Sequence, residues 1–374
     1  MAKAYDHLYA DVSSFENLYL AYRQAARGKR GQAAVASFDF DLEENLLRLH
    51  EELAAQTYRP GAYTSFYIHD PKHRLVSAAP FRDRVVHHAL CRIIEPLFER
   101  TFIGDSYANR VGKGTHAALD RAQALARRYP YVLQCDVEQF FPSIDLTILR
   151  AVLERKIADP GVRWLIGQIL EGGQGLLAHE YTFVCFDGDD LFAANRPRGL
   201  PIGNLTSQFW ANVYLDPLDH FITRRLRCPG YVRYVDDLLL FGPDKPTLWA
   251  WRTAVIERLA RLRLTVHPGA HPRPVTEGIP FLGFVTWPQR RRLKRQGSLF
   301  PPPLAPPGRG LPRRRHPPGA AHRPCAGLDQ PRALRQHRGP AQGRAQSQPA
   351  PAVAVFHPGE PSPCASSHGR LPFL

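Results

Sequence analysis

Apolar residues recur at helical spacing in two stretches of the N-terminal third. In Leu42–Leu53, the side chains of Leu46, Leu47, Leu49 and Leu53 fall on one side of a helix. In Arg84–Phe98 the same spacing gathers Val85, Val86, Leu90, Ile93, Ile94 and Leu97. Further along, the pattern changes to short β-branched or aromatic runs, Tyr131–Cys135, Tyr231–Tyr234, Leu238–Phe241 and Phe281–Val285, which predict strands. No apolar run reaches the roughly 18 residues a membrane-spanning helix requires, so no membrane association is expected.

Near Arg295 the pattern stops. Residues 301–374 contain 17 prolines, with Pro301–Pro303, Pro306–Pro307 and Pro317–Pro318 clustered, and no lasting apolar period. Proline fixes φ and removes a backbone donor, so neither helix nor sheet propagates, and disorder is expected here. Two readings of the stretch stay open. One is a natural Pro/Arg-rich tail that contacts nucleic acid. The other, favoured by ten arginines with no lysine, is a GC-rich wrong frame entered near Arg295–Ser298.

The chain has 374 residues, 44% of them hydrophobic, enough for one large domain or a few subdomains, and no internal repeat. Its formal charge of +15 suggests a polyanionic partner. Residues 301–374, with Asp329 and Glu360 as their only acids, supply +8 of it. The remaining +7 is mild support for nucleic acid binding. No two cysteines form a C-x-x-C pair; Cys91, Cys135, Cys185 and Cys228 read as reduced, small core residues. Met1–Ala10 carries charges and aromatics rather than an apolar leader, and a cytoplasmic location is expected.

Chemistry concentrates in two segments. In Val132-Leu-Gln-Cys-Asp136-Val-Glu-Gln-Phe140-Phe141-Pro-Ser-Ile144 an apolar strand delivers one carboxylate and then turns through an aromatic pair. In Tyr231-Val-Arg-Tyr234-Val-Asp236-Asp237-Leu-Leu-Leu-Phe241 two adjacent acids stand between apolar runs, as at a hairpin tip. Like charges between buried strands are costly unless a cation neutralises them. Oxygen-only ligands suit Mg²⁺, with Mn²⁺ as an alternative. Two such ions about 4 Å apart can activate a 3′-hydroxyl and stabilise a leaving pyrophosphate.

These segments resemble motifs A and C of reverse transcriptases. Arg198-Gly-Leu-Pro201-Ile202-Gly203-Asn-Leu-Thr-Ser207-Gln208-Phe-Trp-Ala211-Asn212 resembles motif B, and Phe281-Leu282-Gly283-Phe284 resembles the primer-grip turn. Arg74-Leu-Val-Ser, Phe81-Arg82-Asp83-Arg84 and Val86-His87-His88-Ala89 resemble the fingers motifs; Tyr107-Ala-Asn-Arg110 and Gly114-Thr115-His116 resemble the next block. All occur in family order across about residues 5–287, roughly three-quarters of the chain. The fold so implied is an α+β right-hand polymerase. It comprises an N-terminal helical extension (1–58), fingers (59–130) and an antiparallel-sheet palm (131–287). Residues 288–374 form a thumb remnant and tail, with the thumb missing or aberrant.

Motif B carries the subfamily signal. Group II intron reverse transcriptases have Pro-Gln-Gly where this chain has Pro201-Ile202-Gly203, and Ser-Pro where it has Ser207-Gln208. Ile-Gly-x-x-x-Ser-Gln resembles the enzymes of diversity-generating retroelements, as do Asn17-Leu, Ala21-Tyr22-Arg23 and Gly28-Lys29-Arg30. That resemblance implies a polymerase that copies a template-repeat RNA into cDNA with errors at adenines. The partners implied are template RNA, the primer or cDNA, dNTPs and a small basic accessory protein.

The resemblance also implies roles. Asp136 and Asp236 are expected as direct metal ligands, with Asp237 and the Val137 carbonyl in support. Phe141 lies under the incoming sugar and excludes a 2′-hydroxyl; Phe140 reads as core. Ile202 replaces an amide that positions the nucleotide, and Gly203 belongs to the same turn. Loss of one hydrogen bond there, about 1 kcal/mol, approaches a factor of ten in selectivity and fits low fidelity. Gln208 contacts the nascent pair or template, or is a helix residue. Arg74, ahead of Arg82, is the candidate clamp on the triphosphate. Arg110, Lys113 and His116 are candidate template contacts, and Phe281, Leu282 and Gly283 the primer grip. No lysine follows motif C as a general acid, which leaves His267 and His271 as weaker candidates. Three functions stay open: a diversifying retroelement enzyme, another bacterial reverse transcriptase (phage defence or group II intron-like), and an inactive nucleic-acid-binding remnant.

Overall fold

The structure is a computed structural model that describes residues 4–69, 73–190 and 192–294. The Pro/Arg-rich stretch 301–374, and with it most of the proposed thumb remnant, lies outside the described residues. The chain starts with four helices, α1 (Tyr9–Ser13), α2 (Phe15–Ala25), α3 (Ala33–Phe40) and α4 (Leu42–Ala54). A β-hairpin follows, β1 (Thr64–Ile68) and β2 (Arg74–Ala78), and then the long helix α5 (Phe81–Glu99). In α4 the helical period buries Leu46, Leu49 and Leu53 against α2, α1 and α3. Leu47 does not join them. It is 43% exposed, because a step of one residue rotates it about 100° away from Leu46. Along α5, Val85, Val86, Leu90 and Ile94 are buried, while Ile93 and Leu97 are half-buried at the edge of the same core.

Helix α6 (Thr115–Arg128) leads into β3 (Tyr131–Asp136), followed by α7 (Phe140–Ser143), α8 (Leu146–Glu154), α9 (Pro160–Gly173) and α10 (Leu205–His220). The hairpin β4 (Gly230–Tyr234) and β5 (Asp237–Gly242), helix α11 (Lys245–Ala260) and β6 (Pro272–Pro274) complete the central sheet. Its order is β4-β5-β3-β6 and its pairings are antiparallel. A second sheet of β7 (Ile279–Phe281), β8 (Phe284–Thr286) and β9 (Arg291–Leu293) packs beside α6.

Both faces of the central sheet are covered, which is why Leu238–Phe241 is apolar without alternation. Leu238 and Leu240 enter one core with Leu133, Cys135 and α10. Leu239 and Phe241 enter another with Val132, Val232 and the Ala118, Leu119, Ala122 face of α6. Strand period 2 thus sends consecutive residues to opposite cores. Phe281–Val285 is not one strand but a hairpin, β7–β8, turning at Leu282 and Gly283. Both have positive φ, 49° and 81°, as a type I′ two-residue turn requires. Cys91, Cys135 and Cys228 are buried as expected, but Cys185 is exposed. It lies in the irregular segment between α9 and α10, where the apolar neighbours Phe183 and Phe192 are themselves exposed. Among the described residues no helix is long and apolar enough to cross a membrane.

Candidate active site

Two strand ends and one hairpin turn bring the acids together. In the antiparallel β3–β5 ladder, Asp136 stands directly opposite Asp237. Tyr234 and Asp237 close the β4–β5 hairpin, which leaves Val235 and Asp236 as its turn. The tip is therefore Val235-Asp236, and Asp237 is already the first residue of β5. Val235 has φ 55°, a conformation that β-branched residues rarely adopt.

The chain after Asp136 is held on both sides. The amide of His267 donates to the Asp136 carbonyl at 2.9 Å, and that of Glu138 donates to the Thr265 carbonyl at 2.9 Å. Gln139, at φ 44°, turns the chain into α7. There Phe140 is buried in the core and Phe141 is half-buried, their rings meeting edge-on at 5.3 Å. The amides of Leu200 and Gly199 donate to the carbonyls of Phe141 and Ile144, both at 2.9 Å, so the start of motif B runs alongside α7.

Motif B also fixes the β1–β2 hairpin. The Ser77 amide donates to the Ile202 carbonyl at 2.9 Å. Asn204 accepts from the Ala79 amide at 3.1 Å and donates to the Ser77 carbonyl at 2.9 Å. Gly203 makes this contact possible. At φ 115°, an added Cβ would lie 2.9 Å from Val76 Cγ1. Arg74, at the start of β2, is thereby aimed into the same space as the acids.

That space is an open cavity of about 740 Å³. Asp136, Val137, Phe141, Ile202, Asp236, Arg74 and His267 all line it. Its far wall is the segment between α9 and α10, with Glu180, Tyr181, Thr182, Val184 and Phe186. This wall is anchored by Thr182, whose amide donates to Gln139 Oε1 at 2.9 Å, and by an Arg263–Asp189 ion pair. The sequence patterns did not reveal the wall, because it has no regular period; Asp189, its side chain 2% exposed between Arg263 and Arg196, is its anchor.

Other candidates lie elsewhere. Arg82 is ion-paired with Glu52 and sits 5.3 Å over the Tyr58 ring, so it braces α4 against α5 rather than facing the cavity. Arg110 is a correction. Its side chain is 5% exposed, paired with Glu99 at 2.7 Å, and donates to the carbonyls of Ile103 and Ser106 at 2.6 and 2.8 Å. A guanidinium so enclosed has no face left for a template phosphate. Lys113 donates to the Gly104 carbonyl at 2.7 Å, and His116 is exposed beside the Phe284 ring. Gly203 and Gln208 are exposed near the motif B turn, outside the cavity lining. His271 is exposed, with Nδ1 2.7 Å from the Gly269 carbonyl oxygen. Phe281 is buried, with Leu282 and Gly283 at the β7–β8 turn beyond the sheet.

One group escaped the sequence patterns altogether. Arg233 in β4 is fully buried and ion-paired at 2.7 Å with Asp219, itself fully buried on α10. Its signal was available: an arginine inside an apolar strand must find a partner. Nearby, Asp216 is pushed up to about 6, chiefly by burial, with His220 at 3.4 Å opposing the rise.

Metal ligation at this site would rest on few protein groups. Among the described residues no cluster of three or more His, Cys, Asp or Glu side chains is positioned to hold an ion. Asp136 and Asp236 on one cavity wall, with Asp237 adjoining, fit hard cations that take one or two carboxylates and complete their shell with substrate phosphates.

An antiparallel sheet of this order with helices on both faces has the architecture of a right-hand polymerase palm. The reverse transcriptase (RNA-dependent DNA polymerase) family matches residues 68–285, more than half of the chain, and the chain belongs to that family. Group II intron-encoded protein LtrA of Lactococcus lactis subsp. cremoris is 25% identical over 212 residues, 56% of this chain and 33% of that protein. Protein YkfC of Escherichia coli (strain K12) is 23% identical over 214 residues, 55% of this chain and 49% of YkfC. The matched region thus spans a third to a half of these relatives. Telomerase from Candida albicans, solved in complex with a fragment of telomeric RNA, is similar at a TM-score of 0.40 and 11% identity, covering 64% of this chain and 47% of that one.

Proposed function

We propose that this chain copies a template-repeat RNA into cDNA, with errors at adenines, as the polymerase of a diversity-generating retroelement. The observation that carries the polymerase reading is the convergence of Asp136, Asp236, Phe141, Arg74 and Ile202 on one cavity. In this reading residues 59–130 act as fingers, 131–287 as palm and 1–58 as a helical extension.

Asp136 and Asp236, aided by Asp237 and the Val137 carbonyl, would hold two Mg²⁺ ions. Bound there, the ions would activate the primer hydroxyl and neutralise the departing pyrophosphate. Arg74 grips triphosphate oxygens through its planar fork. Phe141 presents a ring edge where a ribose 2′-hydroxyl would project. Ile202 offers no hydrogen bond, so selection rests on shape and base pairing. Gln208 and the Phe281–Gly283 turn are placed by this reading along the template and primer, and a small basic accessory protein is the expected partner.

A second reading has its own support: the relatives include intron-encoded proteins and maturases. A group II intron-like enzyme would lack paired repeats differing at adenines in the DNA beside its gene. The enzymatic test is primer extension on an RNA template followed by sequencing of the product. Errors concentrated opposite template adenines, reduced in Ile202→Gln, support the diversifying reading. Errors spread evenly over the four bases, or unchanged by Ile202→Gln, sink it.

A further inference from the structure

Directly behind the Val235-Asp236 turn lies a guanidinium with every nitrogen engaged. In β4, Tyr231 and Arg233 share the face that packs on α10, two residues apart. Both reach Asp219: Tyr231 Oη donates at 2.8 Å, Arg233 Nε at 2.8 and 3.0 Å, and Arg233 Nη2 at 2.7 Å. The remaining arm, Nη1, donates to Asn212 Oδ1 at 3.0 Å and to the Val235 carbonyl at 3.2 Å. Asn212 in turn donates to the Ala108 carbonyl at 2.9 Å. The backbone of Arg233 is also gripped, its amide donating to the Asp105 carbonyl at 2.9 Å and its carbonyl accepting from Tyr107 at 3.0 Å.

A buried ion pair adds little net stability over an apolar pair of the same size. What this one adds is direction. Val235 is the turn residue at φ 55° and the immediate neighbour of Asp236. Strained conformations of that kind persist only where surrounding contacts over-determine them. The Nη1 bond supplies such a contact at the carbonyl that joins Val235 to Asp236.

We propose that Arg233, aimed by Asp219 and Asn212, is a positioning residue that holds the Val235-Asp236 turn so that Asp236 presents its carboxylate to the metal opposite Asp136. This rests on the reading of Asp136 and Asp236 as metal-holding acids. A merely structural role, pinning α10 to the sheet, would alter stability without altering metal affinity. Lysine separates the two roles. It keeps a charge for Asp219, but its three N–H groups radiate from a single atom and do not reproduce the planar fork that spans Asp219, Asn212 and Val235.

The test measures Mn²⁺ affinity from the electron paramagnetic resonance signal of the free ion, beside thermal melting and the Mg²⁺ concentration that half-saturates primer extension. Arg233→Lys is expected to weaken Mn²⁺ binding and raise the Mg²⁺ requirement by roughly fivefold or more, the scale of one lost hydrogen bond. Adding Val235→Gly should recover part of that loss, since glycine adopts positive φ without strain. If Arg233→Lys lowers only the melting temperature, with wild-type Mn²⁺ affinity per folded molecule, the proposal is overturned. Should Arg233→Lys fail to fold, Asn212→Ala keeps the ion pair and removes the acceptor that aims Nη1 at the Val235 carbonyl; weaker Mn²⁺ binding supports the proposal and unchanged binding overturns it. Asp236→Ala is the control for the underlying site. Wild-type Mn²⁺ affinity in that variant would refute the metal-site reading itself, a different failure from that of Arg233.

Discussion

Single side chains on the cavity wall make separable predictions. Phe141 lines the cavity from α7, five residues after Asp136, and its ring is the bulk expected to exclude a 2′-hydroxyl. Phe141→Ala should raise ribonucleotide incorporation by tenfold or more (about 1.4 kcal/mol of discrimination) while leaving deoxynucleotide use largely intact. Competition between rNTP and dNTP in single-nucleotide extension measures this, and an unchanged ratio would remove Phe141 from that role. Gly203 is a residue of a different kind, needed for its lack of a side chain. Gly203→Ala forces a Cβ to 2.9 Å from Val76 Cγ1 at φ 115°, and should cost about 1–3 kcal/mol. Thermal melting reads the loss. The residue scale is also where sequence reading did least well. Arg82 and Arg110 look like free cations in the sequence, yet Glu52 from α4 and Glu99 from the end of α5 meet them. Such pairings are tertiary, and no spacing rule announces them.

At the scale of elements, α5 is the helix on which the N-terminal helices pack, and it carries two consecutive histidines. His87 is buried, its ring nitrogens without a hydrogen-bond partner among the described residues, and burial pushes it down to about 3. His88 is pushed down to about 4, first by burial and then by the charges of Lys29 and Arg92. Both are thus neutral in the fold, while the unfolded chain binds their protons below about 6.5. Their contribution is fully present above that pH and is lost as pH falls through 6.5 towards 4 and 3. His87→Leu should therefore flatten the acid limb of the stability curve, and relieve about 1–3 kcal/mol of unsatisfied polar burial. Chemical denaturation at pH 7.5 and pH 5 tests it; equal effects at both values would contradict the assignment.

Asp216 on α10 acts in the opposite sense. Raised to about 6 by burial, it favours the fold when protonated, so its contribution is full below about 4 and lost as pH rises through 6. Asp216→Asn should remove that decline. Elements with a strict period were legible in the sequence. Helices α4 and α5 and the three core strands β3, β4 and β5 begin and end within a few residues of their expected places. Helix α10 was not, because it is buried on nearly every side and has no polar face to set a period. The wall segment between α9 and α10 was invisible for the converse reason, having no repeat at all.

For the whole molecule, the central claim is that one sheet and one hairpin assemble a nucleotidyl-transfer site. The acids proposed for that site stand in the sequence at the ends of short apolar runs with a strand pattern, and the structure has Asp136 and Asp237 at strand ends and Asp236 in the turn. What the sequence could not convey was the support behind them: Arg233 and Asp219 are adjacent only because β4 packs on α10. The basic charge of the first 300 residues suits a nucleic acid partner, and RNA binding should weaken steeply with salt as counterions are released. A filter-binding series from 50 to 200 mM salt reads the slope. The most direct measurement is extension of a labelled DNA primer on an RNA template with dNTPs and Mg²⁺, run beside Asp236→Ala. The account predicts template-dependent DNA synthesis by the unaltered chain, abolished in Asp236→Ala with its fold intact by circular dichroism. Synthesis that survives in Asp236→Ala, or no synthesis by a folded, RNA-bound wild-type chain, would contradict it.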